Sequence, residues 1–196
     1  MIKLSSEQPV VDISSTSLKC QALISVVQTF YDSNTFLQDI VIPMCSDRPK
    51  GNRDNISLRL LNWVVTNHAQ SEGIVFNLAN DGSICDTPST NYYSVINVGE
   101  SYQRQLSTHG KYLFAPFRRH SRINYNYIGK VSGQQETFLT TIAQLNFFKW
   151  ALQLGVLKYC VLHRVELELQ MKLWKKHQVV KRMYSRTNKG PRHKSV

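Results

Sequence analysis

Cationic and aromatic side chains alternate through residues 100–123, in a pattern that could bind nucleic acid. Lysine and arginine contact phosphates, arginine often through two hydrogen bonds, and an exposed aromatic ring can stack on a base. The cationic residues of this segment are Arg104, Lys111, Arg118, Arg119 and Arg122. Two interpretations of its aromatic part stay open: Phe114, Pro116 and Phe117 either pack in the core or form a stacking surface. We favour the core, which would leave the cations as a basic edge.

A longer run of positive charge begins at Lys172 and contains no acidic residue. Its members are Lys172, Lys175, Lys176, Lys181, Arg182, Arg186, Lys189, Arg192 and Lys194. Such a run can bind a polyanion by folding on it, or it can dock on an acidic neighbour in an assembly.

The distribution of charge along the chain also favours an anionic partner. Residues 1–100 carry 6 Lys and Arg against 10 Asp and Glu, whereas residues 101–196 carry 18 against 3, for a net charge of +11. The expected partners are therefore nucleic acid, an acidic protein face or anionic lipid.

Patterns typical of catalysis or metal binding are weak in this sequence. The candidate nucleophiles are Ser101, Cys85 and Cys160, and none lies in a GxSxG or comparable context. The histidines lack a metal-ligand spacing, and the sequence has no phosphate-binding glycine loop. The four cysteines form no CxxC pair and are typical of buried thiols in a reducing compartment. We therefore predict a protein that is not an enzyme and has neither a cofactor nor a metal.

The spacing of apolar residues predicts the elements that position these groups. Helices are expected at residues 18–30, 55–69, 101–108, 135–154 and 156–184, and strands at 36–44, 74–78, 92–98 and 123–128. The last helix has an apolar face of Val161, Val165, Leu169 and Leu173, with Leu162, Met171 and Trp174. Its polar face is acidic early and basic late, which suits the helix dipole. Gly155 before it ends the preceding helix, as in an ordinary helical hairpin.

These elements predict an α+β fold with a long basic C-terminal helix. One small sheet, from the strands near 74–78, 92–98 and 123–128, is expected to be covered by two amphipathic helices at 55–69 and 136–153. The expected organisation is an α+β core domain (residues 1–155), the long helix (156–184) and a basic tail (185–196). The apolar runs are too short to span a membrane, and no signal peptide is visible.

Three segments resemble a known protein family. They are DNISLRLLNWVVTNHA (54–69), ESYQRQLSTHGKYLFAPFRRHSRI (100–123) and TTIAQLNFFKWALQLGVLKY (140–159). Their order and content are similar to those of a protein family of the nucleocytoplasmic large DNA viruses, of the iridovirus immediate-early type with mimivirus and chlorovirus relatives. The resemblance implies a viral context and brings no catalytic residues with it.

Two functions follow as expectations. In the first, the chain is a non-enzymatic protein of a large DNA virus whose basic C-terminal half binds a polyanion, above all nucleic acid. In the second, it is a minor capsid or virion protein packed between capsid subunits, and its basic helix contacts acidic faces of viral proteins. The expected location is the viral factory in the host cytoplasm or nucleus, or the virion.

Overall fold

A computed structural model of the chain describes residues 10–12, 16–45, 56–79, 83–85, 92–117 and 122–187; the side chains of 85, 92, 93, 182 and 185–187 lie outside this description. The described residues form helices and two small antiparallel sheets, which confirms the predicted α+β class.

The first helix agrees with its prediction, and the segment that follows it does not. α1 spans Leu18–Asp32 and begins after Ser17, whose hydroxyl accepts a hydrogen bond from the backbone N–H of Cys20 (3.4 Å). The predicted strand at 36–44 is wrong, because a π-helical segment at Leu37–Val41 leads there into α2 (Ile42–Cys45). Leu37 and Val41 are both buried, and because they lie four residues apart, a helical turn places them on the same side of the backbone.

The helix predicted at 55–69 begins slightly later and extends further. α3 (Leu58–Trp63) begins after Ser57, which accepts a hydrogen bond from the N–H of Leu60 (3.1 Å). A π-helical segment (Val64–His68) joins it to α4 (Ala69–Glu72). Gly73 ends the unit with φ 63°, a left-handed conformation that glycine adopts without strain.

The strands form two separate sheets. In the first, β1 (Val75–Ala79) lies between β2 (Ile84–Cys85) and β3 (Tyr92–Asn97). In the second, β4 (Arg122–Ile128) pairs with β5 (Gln135–Thr141). The prediction that 123–128 joins the first sheet is wrong, because this strand pairs with β5 instead. Residues 135–141, which form β5, were expected to be the first residues of a helix.

Helices α5 and α6 build most of the aromatic core. α5 (Val98–Phe114) continues past the expected end at Gly110, which interrupts it with a non-helical φ of 71°. α6 (Ile142–Gln153) packs on α1 and α5. Phe114 contacts the rings of Phe147 (centroid distance 5.8 Å) and Trp150 (5.6 Å).

The C-terminal part of the described chain contains two helices in place of the single helix predicted at 156–184. α7 (Val156–Leu162) follows Gly155, which has φ 68°. The non-helical backbone of His163 (φ −102°, ψ 18°) separates α7 from α8 (Arg164–Thr187). The long C-terminal helix is thus confirmed, with a bend close to its beginning. The division into core, helix and tail stays a prediction.

Candidate functional site

One face of α8, the inner face, packs on the rest of the protein. It consists of Leu167, which is 2% exposed, the partly buried Met171 and Trp174, which is 37% exposed. The Trp174 ring contacts the edge of Trp63 in α3 at a centroid distance of 6.3 Å. Residues 167, 171 and 174 recur at helical spacing, so one side of α8 is fixed to the core.

A second apolar face of α8 lies on the side away from the core. Val165 is 84% exposed, Leu169 57% and Leu173 51%, and Val180 is exposed as well. Residues of an α-helix are offset by about 100°, which places these four within one arc roughly opposite the inner face. We call this arc, with Val161 of α7, the outer face. The predicted apolar face included residues of both faces without dividing them, and it left out Leu167, the most deeply buried of the described residues of α8.

The bend between α7 and α8 shapes one end of the outer face. An open groove of about 770 Å³ lies there, lined by apolar residues of both helices and by the charged residues Arg164, Glu166 and Glu168 of α8. Its lining includes Val161, Leu162, Val165, Leu169, Arg164 and Glu166. The bend at His163 therefore makes the apolar residues of α7 continuous with those of α8.

Two of the predicted lysines of α8, Lys172 and Lys176, lie on the outer face, whereas Lys175 lies to one side of it and Lys181 toward the inner face. Lys172, Lys175, Lys176 and Lys181 are all exposed, and none forms a salt bridge within the described part of the chain. Lys172 and Lys176 project within the same arc as Val165 and Leu169, given the helical offset.

The two acidic residues of α8 interact within their own helix. Arg164 donates from Nε to Glu168 (3.0 Å), and Gln170 donates from Nε2 to Glu166 (2.9 Å). Of the two carboxylates, only Glu168 has a cationic partner among the described residues, namely Arg164, and neither forms an ion pair with Lys172, Lys175, Lys176 or Lys181. The four lysines therefore outnumber the one remaining carboxylate, Glu166, in the described part of this helix.

The other predicted cations lie elsewhere or outside the description. Arg104 and Lys111 are exposed on α5, which packs on α6 and α4, whereas α8 packs on α3 and α7. Arg122 is half-buried at the start of β4, where its carbonyl accepts a hydrogen bond from Val11 N (2.8 Å). Outside the described side chains are Arg118, Arg119, Arg182, Arg186, Lys189, Arg192 and Lys194. The structure thus places Lys172, Lys175 and Lys176 within one arc of α8, Lys181 on another side of it, and Arg104 and Lys111 on a different helix, α5.

The aromatic residues of 112–117 divide between core and surface. Phe114 and Pro116 are buried, as expected, whereas Phe117 is 49% exposed and its predicted place in the core is wrong. α5 ends at Phe114, and the extended backbone of Ala115 leads into a turn that directs Phe117 outward.

Two candidate nucleophiles, Ser101 and Cys160, are held by contacts within the fold, and the side chain of the third, Cys85, lies outside the described residues. Ser101 Oγ accepts a hydrogen bond from Trp150 Nε1 (3.0 Å). Cys160 is fully buried, and burial raises the pKa of its thiol to about 12. Burial also lowers the pKa of His68, whose ring stacks on Trp63 at 5.2 Å. No group of three His, Cys, Asp or Glu that could hold a metal ion occurs within the described residues.

Sequence comparison places the chain in a family. A family model described as "Family of unknown function (DUF7197)" matches residues 19–195. The chain belongs to this family. This DUF7197 chain is also 34% identical over 118 residues to "Uncharacterized protein L507" of Acanthamoeba polyphaga mimivirus, a match covering 60% of this chain and 42% of that protein. It thus spans less than half the length of this relative.

The comparisons bear on the expected origin of the DUF7197 chain. The mimivirus relative supports the predicted context of a large DNA virus. The iridovirus and chlorovirus connections stay a prediction, and no solved structure matches the chain. Across the residues that the structure describes, no helix is both long and apolar enough to cross a bilayer.

Proposed function

We propose that this protein is a non-enzymatic, nucleic-acid-binding protein of a large DNA virus, and that α8 is its binding element. The carrying observation is the set of exposed lysines on α8 that no described carboxylate neutralises. Residues 172–181 span about 14 Å along the helix axis. Duplex DNA carries one phosphate charge per roughly 1.7 Å, so a helix lying along it meets several phosphates over that length.

The arrangement of the lysines limits how many phosphates they reach together. Lys172, Lys175 and Lys176 project within an arc of about 100°, whereas Lys181 projects to another side. A single duplex can therefore contact three described lysines at once. The predicted cations after residue 181 would add to this contact, and the viral factory or the virion is where such a protein would meet viral DNA.

The salt dependence of DNA binding tests this proposal. We expect log K to fall linearly with log salt for the full chain and a short duplex, measured by fluorescence anisotropy. The variant K172Q/K176Q should lower the slope by about 2, because each phosphate contact contributes about 0.9. The matched control K19Q/K130Q removes two exposed lysines of other elements, α1 and the β4–β5 turn. Weak binding that does not respond to salt, or equal slopes for both variants, contradicts the proposal.

A minor virion protein is the second candidate, and the exposed apolar outer face favours it. Contiguous apolar surface on a protein commonly marks a contact with another protein. Mass spectrometry of purified virions should then detect the chain at a fixed ratio to the major capsid protein. Its absence from virions excludes this function and leaves DNA binding unaffected.

A further inference from the structure

The outer face of α8 has the shape of a helix-docking surface. Along α8 it extends from Val165 to Val180, about 22 Å at the helical rise, and beyond the bend at His163 it includes Val161 of α7. It is continuous with the groove at the α7–α8 bend, which is lined by Val161, Val165 and Leu169. A second helix can cover apolar residues along one side of a helix with its own apolar residues at i, i+3 and i+4 spacing.

The charges beside this stripe specify the partner. Two carboxylates lie at the edges of the outer face near the start of α8: Glu168 pairs with Arg164 (3.0 Å), and Glu166 accepts a hydrogen bond from Gln170 (2.9 Å). The exposed cations of this face are Lys172 and Lys176, with Lys175 farther to one side, whereas Lys181 projects away from it. A docking helix would bring its polar flanks close to these ammonium groups. Carboxylates on those flanks would gain favourable pairing, and cations would be repelled.

We propose that the outer face binds an acidic amphipathic helix of another protein. The apolar side of that helix covers Val165, Leu169 and Leu173, and its Asp or Glu residues pair with Lys172 and Lys176. The proposal does not depend on DNA binding, because DNA has no apolar surface that would cover the leucines and valines. A parallel second copy of α8 would place lysines opposite lysines, and an antiparallel second copy is distinguished by the sedimentation outcome given below.

The test measures binding of synthetic peptides to the full chain by fluorescence anisotropy. The probe is an amphipathic helical peptide with leucines at i, i+3 and i+4 positions and glutamates on both flanks. We expect it to bind at least about tenfold more tightly than a scrambled peptide of the same composition, a difference of about 1.4 kcal/mol. Replacing its glutamates by lysines should abolish binding.

Variants of the protein separate the apolar and the charged parts of the contact. L169Q/L173Q should weaken peptide binding about tenfold or more, because both side chains lie in the centre of the stripe. The control V131Q/L139Q changes two exposed apolar residues of the β4–β5 hairpin and should leave binding unchanged. K172E/K176E should reject the acidic peptide and accept the lysine peptide. Circular dichroism verifies that each variant is folded.

Other occupants of the outer face give different results. Equal affinity for the ordered and the scrambled peptide overturns the proposal. So does a dimer in sedimentation that L169Q/L173Q dissociates, since a second copy would then cover the face. Binding to phosphatidylserine vesicles that L169Q/L173Q abolishes, without peptide binding, assigns the face to lipid. If the full chain binds the acidic peptide but does not bind DNA, only the proposed nucleic-acid function is contradicted.

Discussion

Two leucines of α8, Leu167 and Leu169, offer a direct test of which side of the helix faces the core. Leu167 is 2% exposed beside Met171 and Trp174, whereas Leu169 is 57% exposed on the outer face. Each can be replaced by alanine without changing charge. The intrinsic helix propensity changes equally in both variants.

The expected losses of stability differ severalfold. Leu167→Ala removes a fully buried side chain and leaves a cavity, which costs about 3 kcal/mol. Leu169→Ala removes a side chain that is less than half buried and leaves no cavity, so it costs about 1 kcal/mol or less. For a chain of this size, the first change lowers Tm by roughly 6–12 °C and the second by a few degrees at most.

Urea unfolding followed by far-UV circular dichroism measures both free energies. Hydrogen exchange adds a local reading, because loss of the Leu167 contact should expose the amides of α8 near residues 164–174 first. A loss of stability from Leu169→Ala equal to or larger than that from Leu167→Ala refutes the assignment of inner and outer face. In that case the outer face would be the core contact, and the docking proposal would lose its basis.

Three further changes probe the core. Burial lowers the pKa of His68, so as pH falls the unfolded chain binds a proton at this residue before the folded chain does. The contribution of His68 to the free energy of unfolding should therefore be complete above about pH 6.5 and decrease at lower pH. His68→Phe should reduce this decrease, as measured by urea unfolding at several pH values. Gly155→Ala should cost about 1–2 kcal/mol more than Gly133→Ala in urea unfolding: both have positive φ, but only at Gly155 would a Cβ meet a leucine side chain, at 3.0 Å. Tyr31→Phe removes the buried hydroxyl that donates to the carbonyl of Leu145 (2.9 Å), and thermal unfolding should show a loss of about 1–2 kcal/mol.

The sequence predicts the fold where one apolar stripe dominates a segment. The helices around Trp63 and Phe147 carry broad stripes. The first was predicted within three residues of its observed ends, whereas the second was predicted to begin at 135 and begins at Ile142. β5 was missed because Phe138, Ile142 and Leu145 also fit a helical spacing, and only the pairing with β4 selects a strand. The segment at 36–44 has β-forming residues, yet burial of Leu37 and Val41 on one side favours a helical turn.

The site was predictable in its charges and only partly in its geometry. Exposed lysines follow directly from the composition of α8, since a lysine seldom occupies a core without a partner. Which apolar stripe meets the core does not follow from periodicity, because Leu167 and Leu169 both fit a helical pattern. The sequence does indicate that two apolar faces exist. Val165, Leu167 and Leu169 are each two residues apart, and residues at this spacing cannot all lie on one face of a helix.

The two proposed roles of α8 use the same surface and are therefore linked. Lys172 and Lys176 project within the arc that holds Leu169 and Leu173, so a partner helix covering the leucines also occupies the ammonium groups. Nucleic acid and an acidic helix would then exclude each other on this arc. Their energies have different origins, because phosphate contacts weaken steeply with salt while apolar burial does not. A role in assembly depends mainly on the valines and leucines, whereas a role in nucleic-acid binding depends on the lysines alone. Within the described part of α8, the outer face is where exposed apolar residues and lysines lie together.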